Sequence, residues 1–189
     1  MNLDCKKISC IILAGGEGKR VDGRDKGLIP YQGKTLIQHV LDSVAPQTDE
    51  IVISANRNIT IYKSYGYKVI SDSSTQYLGP LAGIAASLPH CKNNWALVVA
   101  CDMPFLPENL VTTLAEGLSE NTVCIAESNK QLQLAFLIHK KQLPSLSQSL
   151  QSKQLSLMRW VQSQKVSIAK NFKPLHFQNI NHSGELIGG

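Results

Sequence analysis

Short apolar runs along the chain predict the strands of a β-sheet. Each run is rich in valine, isoleucine or leucine and ends at a glycine, a proline or a polar cluster, as buried strands do. The predicted strands cover residues 8–14, 50–55, 67–71, 95–101, 122–126, 132–138, 166–169 and 175–177. Between them, apolar residues recur every three or four positions, which predicts helices.

The clearest helix signal follows a predicted turn at Gly33 and Lys34. The apolar residues on its single face are Leu36, Ile37, Val40, Leu41 and Val44. Thr35 and Gln38 have the spacing of a capping box, and Pro46 predicts the end of the helix. Further helices are predicted from within residues 77–83 to about 88, twice within 142–163, and beyond Asn181. Another is predicted with Pro107 in its first turn.

Strands that alternate with helices indicate an α/β fold with a mostly parallel sheet covered on both faces. The chain shows no repeat and no interior linker, so we expect a single domain with three layers. In such sheets the ligand binds beyond the carboxyl ends of the strands. Four segments follow the first four predicted strands, namely residues 15–26, residues 54–57, Asp72 and Asp102. We therefore expect them to meet in one crevice.

The first of these segments has the composition of a phosphate-binding loop. It is rich in glycine and carries the cations Lys19, Arg20, Arg24 and Lys26. Glycines let backbone amides approach phosphate oxygens closely, and the cations neutralise charge. Two common phosphate motifs nearly match this region, but the dinucleotide motif has Val21 in place of its last glycine, and the P-loop pattern has Leu28 in place of its first.

Composition narrows the class of partner. The 189 residues carry a formal charge of +5, and the basic residues outside the loop are scattered, which favours a small anionic ligand over nucleic acid. No apolar run approaches the roughly 18 residues of a membrane span, and the basic start followed by a short apolar run is interpreted as a strand, not a secretion signal. The five cysteines are odd in number and lack CxxC spacing, so we expect a reducing, cytoplasmic compartment without disulfide or zinc.

The segment Leu13-Ala14-Gly15-Gly16, followed by Arg20 and Lys26, resembles the signature of nucleotidyltransferases that activate sugars, pterins and other phosphorylated acceptors. Within that superfamily the chain is most similar to the molybdenum cofactor guanylyltransferases. The other segments that carry this resemblance are Asp25-Lys26-Gly27, Ser54-Ala55-Asn56-Arg57, Gly79-Pro80-Leu81-Ala82-Gly83, Cys101-Asp102-Met103-Pro104, Asn179-Ile180-Asn181 and Glu185-Leu186. Their order and spacing agree over nearly the whole chain.

The resemblance implies a Rossmann-like nucleotidyltransferase fold, with a nucleotide-binding half at about residues 1–105 and an acceptor-binding half at about 106–189. It implies that GMP passes from GTP to the phosphate of molybdenum-molybdopterin, with release of pyrophosphate and with Mg²⁺ as cofactor. It also implies transient contacts with the proteins that deliver the pterin and receive the finished cofactor. We expect a monomer that binds neither nucleic acid nor membrane.

The same resemblance implies roles for particular residues. Asp102 is expected to hold Mg²⁺, Lys26 to contact the α- or β-phosphate, and Arg20 to assist as a third catalytic residue. The nucleotide-binding residues that it implies are Leu13, Ala14, Gly15, Gly16, Lys26, Ser54, Asp72 and Asp102. Asn179 and Asn181 are expected on the pterin side. Independently of the resemblance, phosphoryl transfer relies mainly on positioning and charge neutralisation, which these residue types can supply.

Structural explanations stay open for several of these residues. Asp102 could be a turn residue, Lys26 a solvated loop lysine, Asp72 an Asx-turn and Asn181 a helix cap. Three other functions also stay open: a cytidylyltransferase for the same pterin, another nucleotidyltransferase with a small phosphorylated acceptor, and a nucleotide-binding module without turnover. The chain departs from the family at Ser54, where asparagine is common, and at residues 131–133, where a His-Pro pair is common.

Overall fold

A seven-stranded sheet forms the centre of the computed structural model, which describes residues 3, 7–16, 23–72 and 78–180. The strands of these described residues are β1 (Ile8–Leu13), β2 (Pro30–Tyr31), β3 (Lys34–Thr35), β4 (Glu50–Ser54), β5 (Lys68–Ile70), β6 (Trp95–Ala100), β7 (Val123–Ser128), β8 (Gln131–His139) and β9 (Ser167–Ala169). The sheet has the order β5-β4-β1-β6-β8-β7-β9, and β2 and β3 form a separate hairpin.

Most neighbours in the sheet are parallel, as predicted. β1 pairs in parallel with β4 on one side and with β6 on the other, and β5 pairs in parallel with β4. β9 is parallel to β7, whereas β8 is antiparallel to both of its neighbours, β6 and β7. The four parallel strands β5, β4, β1 and β6 therefore end at one edge of the sheet, where the predicted crevice belongs.

Helices cover both faces of the sheet and complete the three predicted layers. They are α1 (Leu36–Val44), α2 (Ile59–Lys63), α3 (Pro80–Ser87), α4 (Leu110–Glu116), α5 (Leu143–Gln151) and α6 (Leu157–Ser163). Side chains of a strand alternate between its two faces. Cys10 and Ile12 of β1 accordingly pack with α1, α2 and α4, while Ile11 packs with α3, α5 and α6.

Two local predictions are wrong. Residues 175–177 do not form a strand, because Pro174–Phe177 is a 3-10 turn with a proline in its first turn and Leu175 is 53% exposed. The capping box at α1 is absent, because Thr35 Oγ1 shares a hydrogen bond of 2.8 Å with the Tyr65 hydroxyl and Gln38 Nε2 donates to Asp42. The helix predicted beyond residue 181 lies outside the described residues.

Pro107 lies in the turn before α4 instead of in its first turn. The helix begins at Leu110, whose amide donates to the Pro107 carbonyl at 3.1 Å. The described cysteines Cys10, Cys91, Cys101 and Cys124 are buried free thiols. In the described part of the chain, no helix has both the length and the apolar character that crossing a membrane requires.

Gly83 lets α3 lie close against the ends of β1 and β4. A Cβ atom at this position would come 2.6 Å from Ser54 Oγ and 3.3 Å from a methyl carbon of Leu13. Both distances are shorter than ordinary van der Waals contact, so a side chain at this position would displace the side chains of Ser54 and Leu13 or shift the helix. This contact sets the spacing between the helical layer and the strand ends.

We expect Gly83→Ala to lower the free energy of unfolding by about 1–3 kcal/mol, because overpacking outweighs the roughly 1 kcal/mol by which alanine favours a helix. Removal of the Ser54 hydroxyl in the double variant Gly83→Ala/Ser54→Ala should restore part of that loss. Urea unfolding of the wild type, both single variants and the double variant measures the effect. Strictly additive losses would show that the predicted contact does not limit the packing.

Candidate active site

A cavity of about 350 Å³ lies at the carboxyl ends of the parallel strands. Its volume is in the range typical of small-molecule sites. Among the residues that line it are all eight predicted nucleotide-binding residues: Leu13, Ala14, Gly15, Gly16, Lys26, Ser54, Asp72 and Asp102. Segments that follow different strands thus meet at one place.

Of the remaining predicted site residues, the structure describes Asn179, which is not among the residues that line this cavity. Arg20 and Asn181 lie outside the described residues, as does Lys19. Asn179 is exposed, but its neighbour Ile180 is buried and donates its amide to the Asp102 carbonyl at 3.2 Å. The segment predicted to bind the pterin therefore passes beside Asp102.

The end of β6 places Asp102 at the bottom of the cavity. The Cys101 amide donates to the Leu13 carbonyl at 3.1 Å, which extends the pairing of β6 with β1 by one residue. Asp102 follows directly and is only 8% exposed. Its Oδ2 accepts a hydrogen bond from Lys26 Nζ. Its Oδ1 is buried and has no hydrogen-bond partner among the described residues.

This arrangement makes Asp102 suitable for a cation. A buried oxygen without a partner is costly, and a carboxylate oxygen is a preferred ligand of Mg²⁺. Within the described residues no group of three or more histidine, cysteine, aspartate or glutamate side chains could hold a metal ion. A divalent cation held by Asp102 would complete its coordination with water and with oxygens of the bound ligand.

Asn56 joins the ends of β4 and β5 on the opposite wall. Its Nδ2 donates to Asp72 Oδ2 at 3.0 Å, and its Oδ1 accepts from the Asp72 amide at 3.1 Å and from Ser71 Oγ at 3.0 Å. Asp72 Oδ1 is buried without a hydrogen-bond partner in the described part of the chain. The pair thus presents an acceptor oxygen at the cavity wall.

Asn56 was not predicted as a site residue, although residues 54–57 were expected at the crevice. A polar residue just beyond a strand end was the available signal, but the sequence did not show which of Ser54 and Asn56 would contact Asp72. The apolar part of the wall was also missed. It consists of Leu78, Gly79, Pro80 and Gly83 at the start of α3, together with Ala100, Cys101 and Leu134.

Cys101 lines the cavity but is not a nucleophile at neutral pH. Burial is the main cause that raises the pKa of its thiol, and the carboxylates of Asp102 and Asp25 raise it further. The thiol is therefore protonated, and the reactive thiolate is not available.

The groups in the cavity that can act chemically are a lysine, a buried carboxylate and a glycine-rich backbone. Together they suit a phosphorylated ligand and a cation.

The chain is similar to known proteins over most of its length. A family model described as the MobA-like NTP transferase domain matches residues 10–168. The chain is similar to the molybdenum cofactor guanylyltransferase of Shewanella putrefaciens, with 38% identity over 92% of this chain and 91% of that protein. It is also similar to the molybdenum cofactor guanylyltransferase of Photobacterium profundum, with 36% identity over 96% of this chain and 94% of that protein.

Solved structures share the fold at lower sequence identity. Molybdopterin-guanine dinucleotide biosynthesis protein A from Archaeoglobus fulgidus superposes with a TM-score of 0.75 and 22% identity, over 95% of each chain. The 4-diphosphocytidyl-2C-methyl-D-erythritol synthase from Anaerococcus prevotii gives a TM-score of 0.70 and 20% identity, over 97% of this chain and 96% of the other.

The Asn56–Asp72 contact makes a pH-dependent prediction. In Asn56→Asp, two carboxylates would face each other where the amide now donates, and they repel while both are ionised. We expect a loss of about 1–3 kcal/mol in unfolding free energy at pH 7 and a much smaller loss at pH 4, where protonation relieves the repulsion.

Urea unfolding at both pH values measures this loss, each variant being compared with the wild type at the same pH. Asn56→Ala is the matched control, because it removes the hydrogen bonds without adding charge. Its loss should be similar at pH 4 and pH 7. An Asn56→Asp loss that does not change with pH would contradict the contact.

Proposed function

This chain belongs to the family of molybdenum cofactor guanylyltransferases, and we propose that it transfers GMP from GTP to the phosphate of molybdenum-molybdopterin. The product is the molybdopterin guanine dinucleotide cofactor, and pyrophosphate is released. The observation that carries the proposal is the contact of Lys26 with the buried Asp102 in a cavity that the glycine-rich end of β1 also lines.

In the proposed reaction, an oxygen of the pterin phosphate forms a bond to the α-phosphorus of GTP, while the bond from that phosphorus to the β-phosphate oxygen breaks. The attacking phosphate is already anionic near neutral pH, so no general base is needed. The work of the protein is to hold the two phosphates in line and to neutralise the charge between them.

Asp102 is the proposed Mg²⁺ ligand, because its Oδ1 is buried without a hydrogen-bond partner among the described residues. When bound, Mg²⁺ supplies positive charge to the phosphate oxygens. The Lys26 ammonium, now paired with Asp102, is within reach of the same phosphates and would stabilise the negative charge on the leaving pyrophosphate. Arg20 is proposed to add a second cation there.

The base is proposed to lie between the end of β4 and the start of α3. Backbone groups of Leu13, Ala14, Gly15 and Gly16 would bind the nucleotide beside it. Guanine offers two adjacent N–H donor groups on one edge, whereas cytosine offers one donor next to an acceptor. The acceptor oxygens of Asp72, held by Asn56, suit the guanine edge better.

The acceptor half, about residues 106–189, is proposed to bind the pterin. Leu134 of β8 already lines the cavity with Asp102, and Ile180, the neighbour of Asn179, donates its amide to the Asp102 carbonyl. We further propose a cytoplasmic monomer that contacts the proteins delivering the pterin and receiving the product only transiently.

Mass spectrometry of the product tests the reaction directly. The purified protein is incubated with molybdenum-molybdopterin, Mg²⁺ and an equal mixture of GTP and CTP. We expect the guanine dinucleotide as the main product, together with pyrophosphate. A cytosine dinucleotide as the main product would make the protein a cytidylyltransferase. No pyrophosphate from folded protein would favour a nucleotide-binding module without turnover.

Replacement of Asp102 tests the metal site. We expect Asp102→Ala to remain folded and to lose roughly 1,000-fold or more in GMP transfer, because the cation and its charge neutralisation are lost. The matched control is Asp42→Ala, which removes a surface aspartate paired with Lys34 and should transfer GMP normally. Near-normal transfer by Asp102→Ala would place the metal ligand elsewhere.

A further inference from the structure

Asp25 is a buried carboxylate next to Lys26 that the proposed reaction does not use. It is 8% exposed. Its Oδ1 accepts a hydrogen bond of 2.6 Å from the Tyr62 hydroxyl, and its Oδ2 accepts one of 2.9 Å from Asn58 Nδ2. We propose that Asp25 is a positioning residue, which Tyr62 and Asn58 hold in place so that Lys26 points at the reacting phosphates. This inference rests on the proposed role of Lys26.

The side chain of Arg57 also binds the backbone of the segment before Lys26. Arg57, which follows β4, donates to the carbonyls of Gly23 and Arg24 at 2.7 Å each, and its Nε lies 3.6 Å from Asp25 Oδ2. The residues just before Lys26 are thus tied to the turn between β4 and α2. An arginine that binds two carbonyls in this way leaves the backbone little freedom.

The residue after Lys26 is fixed as well. A Cβ atom at Gly27 would lie 2.6 Å from the Tyr62 hydroxyl oxygen and 3.3 Å from Cys101 Sγ. Glycine therefore lets this backbone press against both α2 and the residue that precedes Asp102. Asp25 and Gly27, the residues on either side of Lys26, are therefore both held in place by contacts with Tyr62.

The Tyr62 hydroxyl stays a donor to Asp25 at any pH at which the enzyme would work. The tyrosine is fully buried, and this burial is the main cause that raises the pKa of its phenol, with the Cys101 thiol and Asp25 adding to it.

A long lysine side chain loses considerable freedom when it is held in one geometry. A fixed backbone at Lys26 reduces the part of that loss that occurs when the phosphates bind.

A purely structural role for Asp25 makes a different prediction. If Asp25 only stabilised the fold, the variants would be less stable, but their affinity for the phosphates would not fall more than their affinity for the rest of the nucleotide. The positioning role requires that removal of the Tyr62 hydroxyl weakens only the interactions that Lys26 itself makes with the phosphates. A double-mutant cycle with Lys26 separates the two, because residues that act through one another are not additive.

The experiment measures the affinities of GTP with Mg²⁺ and of guanosine by calorimetry. The proteins are the wild type, Tyr62→Phe, Lys26→Met and the double variant Tyr62→Phe/Lys26→Met. Tyr65→Phe is the matched control, because it removes a tyrosine hydroxyl on the same side of the sheet that shares a hydrogen bond with Thr35 and not with Asp25. It should bind both ligands as the wild type does.

We expect Tyr62→Phe to weaken GTP binding by roughly tenfold, the size of one hydrogen bond to a charged group, and to leave guanosine binding unchanged. In the Lys26→Met background the same substitution should change GTP affinity by less than about twofold. The same loss in both backgrounds, an equal loss for guanosine, or no loss at all would overturn the positioning role.

Asn58→Gly provides a second route should Tyr62→Phe fail to fold. Asn58 is exposed and has a φ of +52°, which glycine adopts readily, so its replacement removes the bond to Asp25 Oδ2 with little strain. It should follow the pattern of Tyr62→Phe. Because binding is measured, a wild type that binds GTP but transfers no GMP would contradict the proposed reaction and not the positioning role.

Discussion

The parallel pairing of β1 with two neighbours sets the position of nearly every group at the cavity. Leu13 is in register with Ser54 of β4 on one side and with Ala100 of β6 on the other. Parallel strands run in the same direction, so all three chains leave the sheet at one level. The glycines after β1, Asn56 after β4 and Asp102 after β6 then become neighbours through backbone register alone.

At the same edge of the sheet, the cation Lys26 meets the buried carboxylate of Asp102. Asp102 is nearly inaccessible to water, and a buried charge without a partner would be strongly destabilising. Its hydrogen bond from Lys26 offsets that cost. In the proposed reaction each member meets a new partner of opposite charge: Lys26 meets the phosphates and Asp102 the metal ion. Binding therefore exchanges one charge pairing for others and does not leave either group unpaired.

The fold and the floor of the site could be predicted from the sequence because both depend on periodic patterns. The apolar runs gave the strands that meet at the cavity, and the rule for parallel sheets placed Asp72 and Asp102 at one edge. The contacts between Asn56 and Asp72 and between Asp25 and Tyr62 could not be predicted. They join side chains 16 and 37 residues apart, and such bonds leave no period in the sequence.

The wrong predictions of the capping box and of the last strand have a similar cause. Thr35 and Gln38 have the spacing of a capping box, yet each finds a competing partner, Tyr65 and Asp42 respectively. The segment Leu175-His176-Phe177 follows a proline and forms a 3-10 turn instead of a strand. In both cases tertiary contacts outweigh a weak local preference.

The position of Ser54 explains why base recognition is proposed to fall on its neighbours. Its hydroxyl fills the gap below α3, only 2.6 Å from where a Cβ of Gly83 would lie. The asparagine that the family commonly has at this position would need to point into the cavity or to displace the helix. Asn56 carries an amide at the same wall, but it uses that amide to hold Asp72. Selection of guanine in the proposed reaction therefore depends on the oriented carboxylate of Asp72, and a serine at residue 54 is compatible with it.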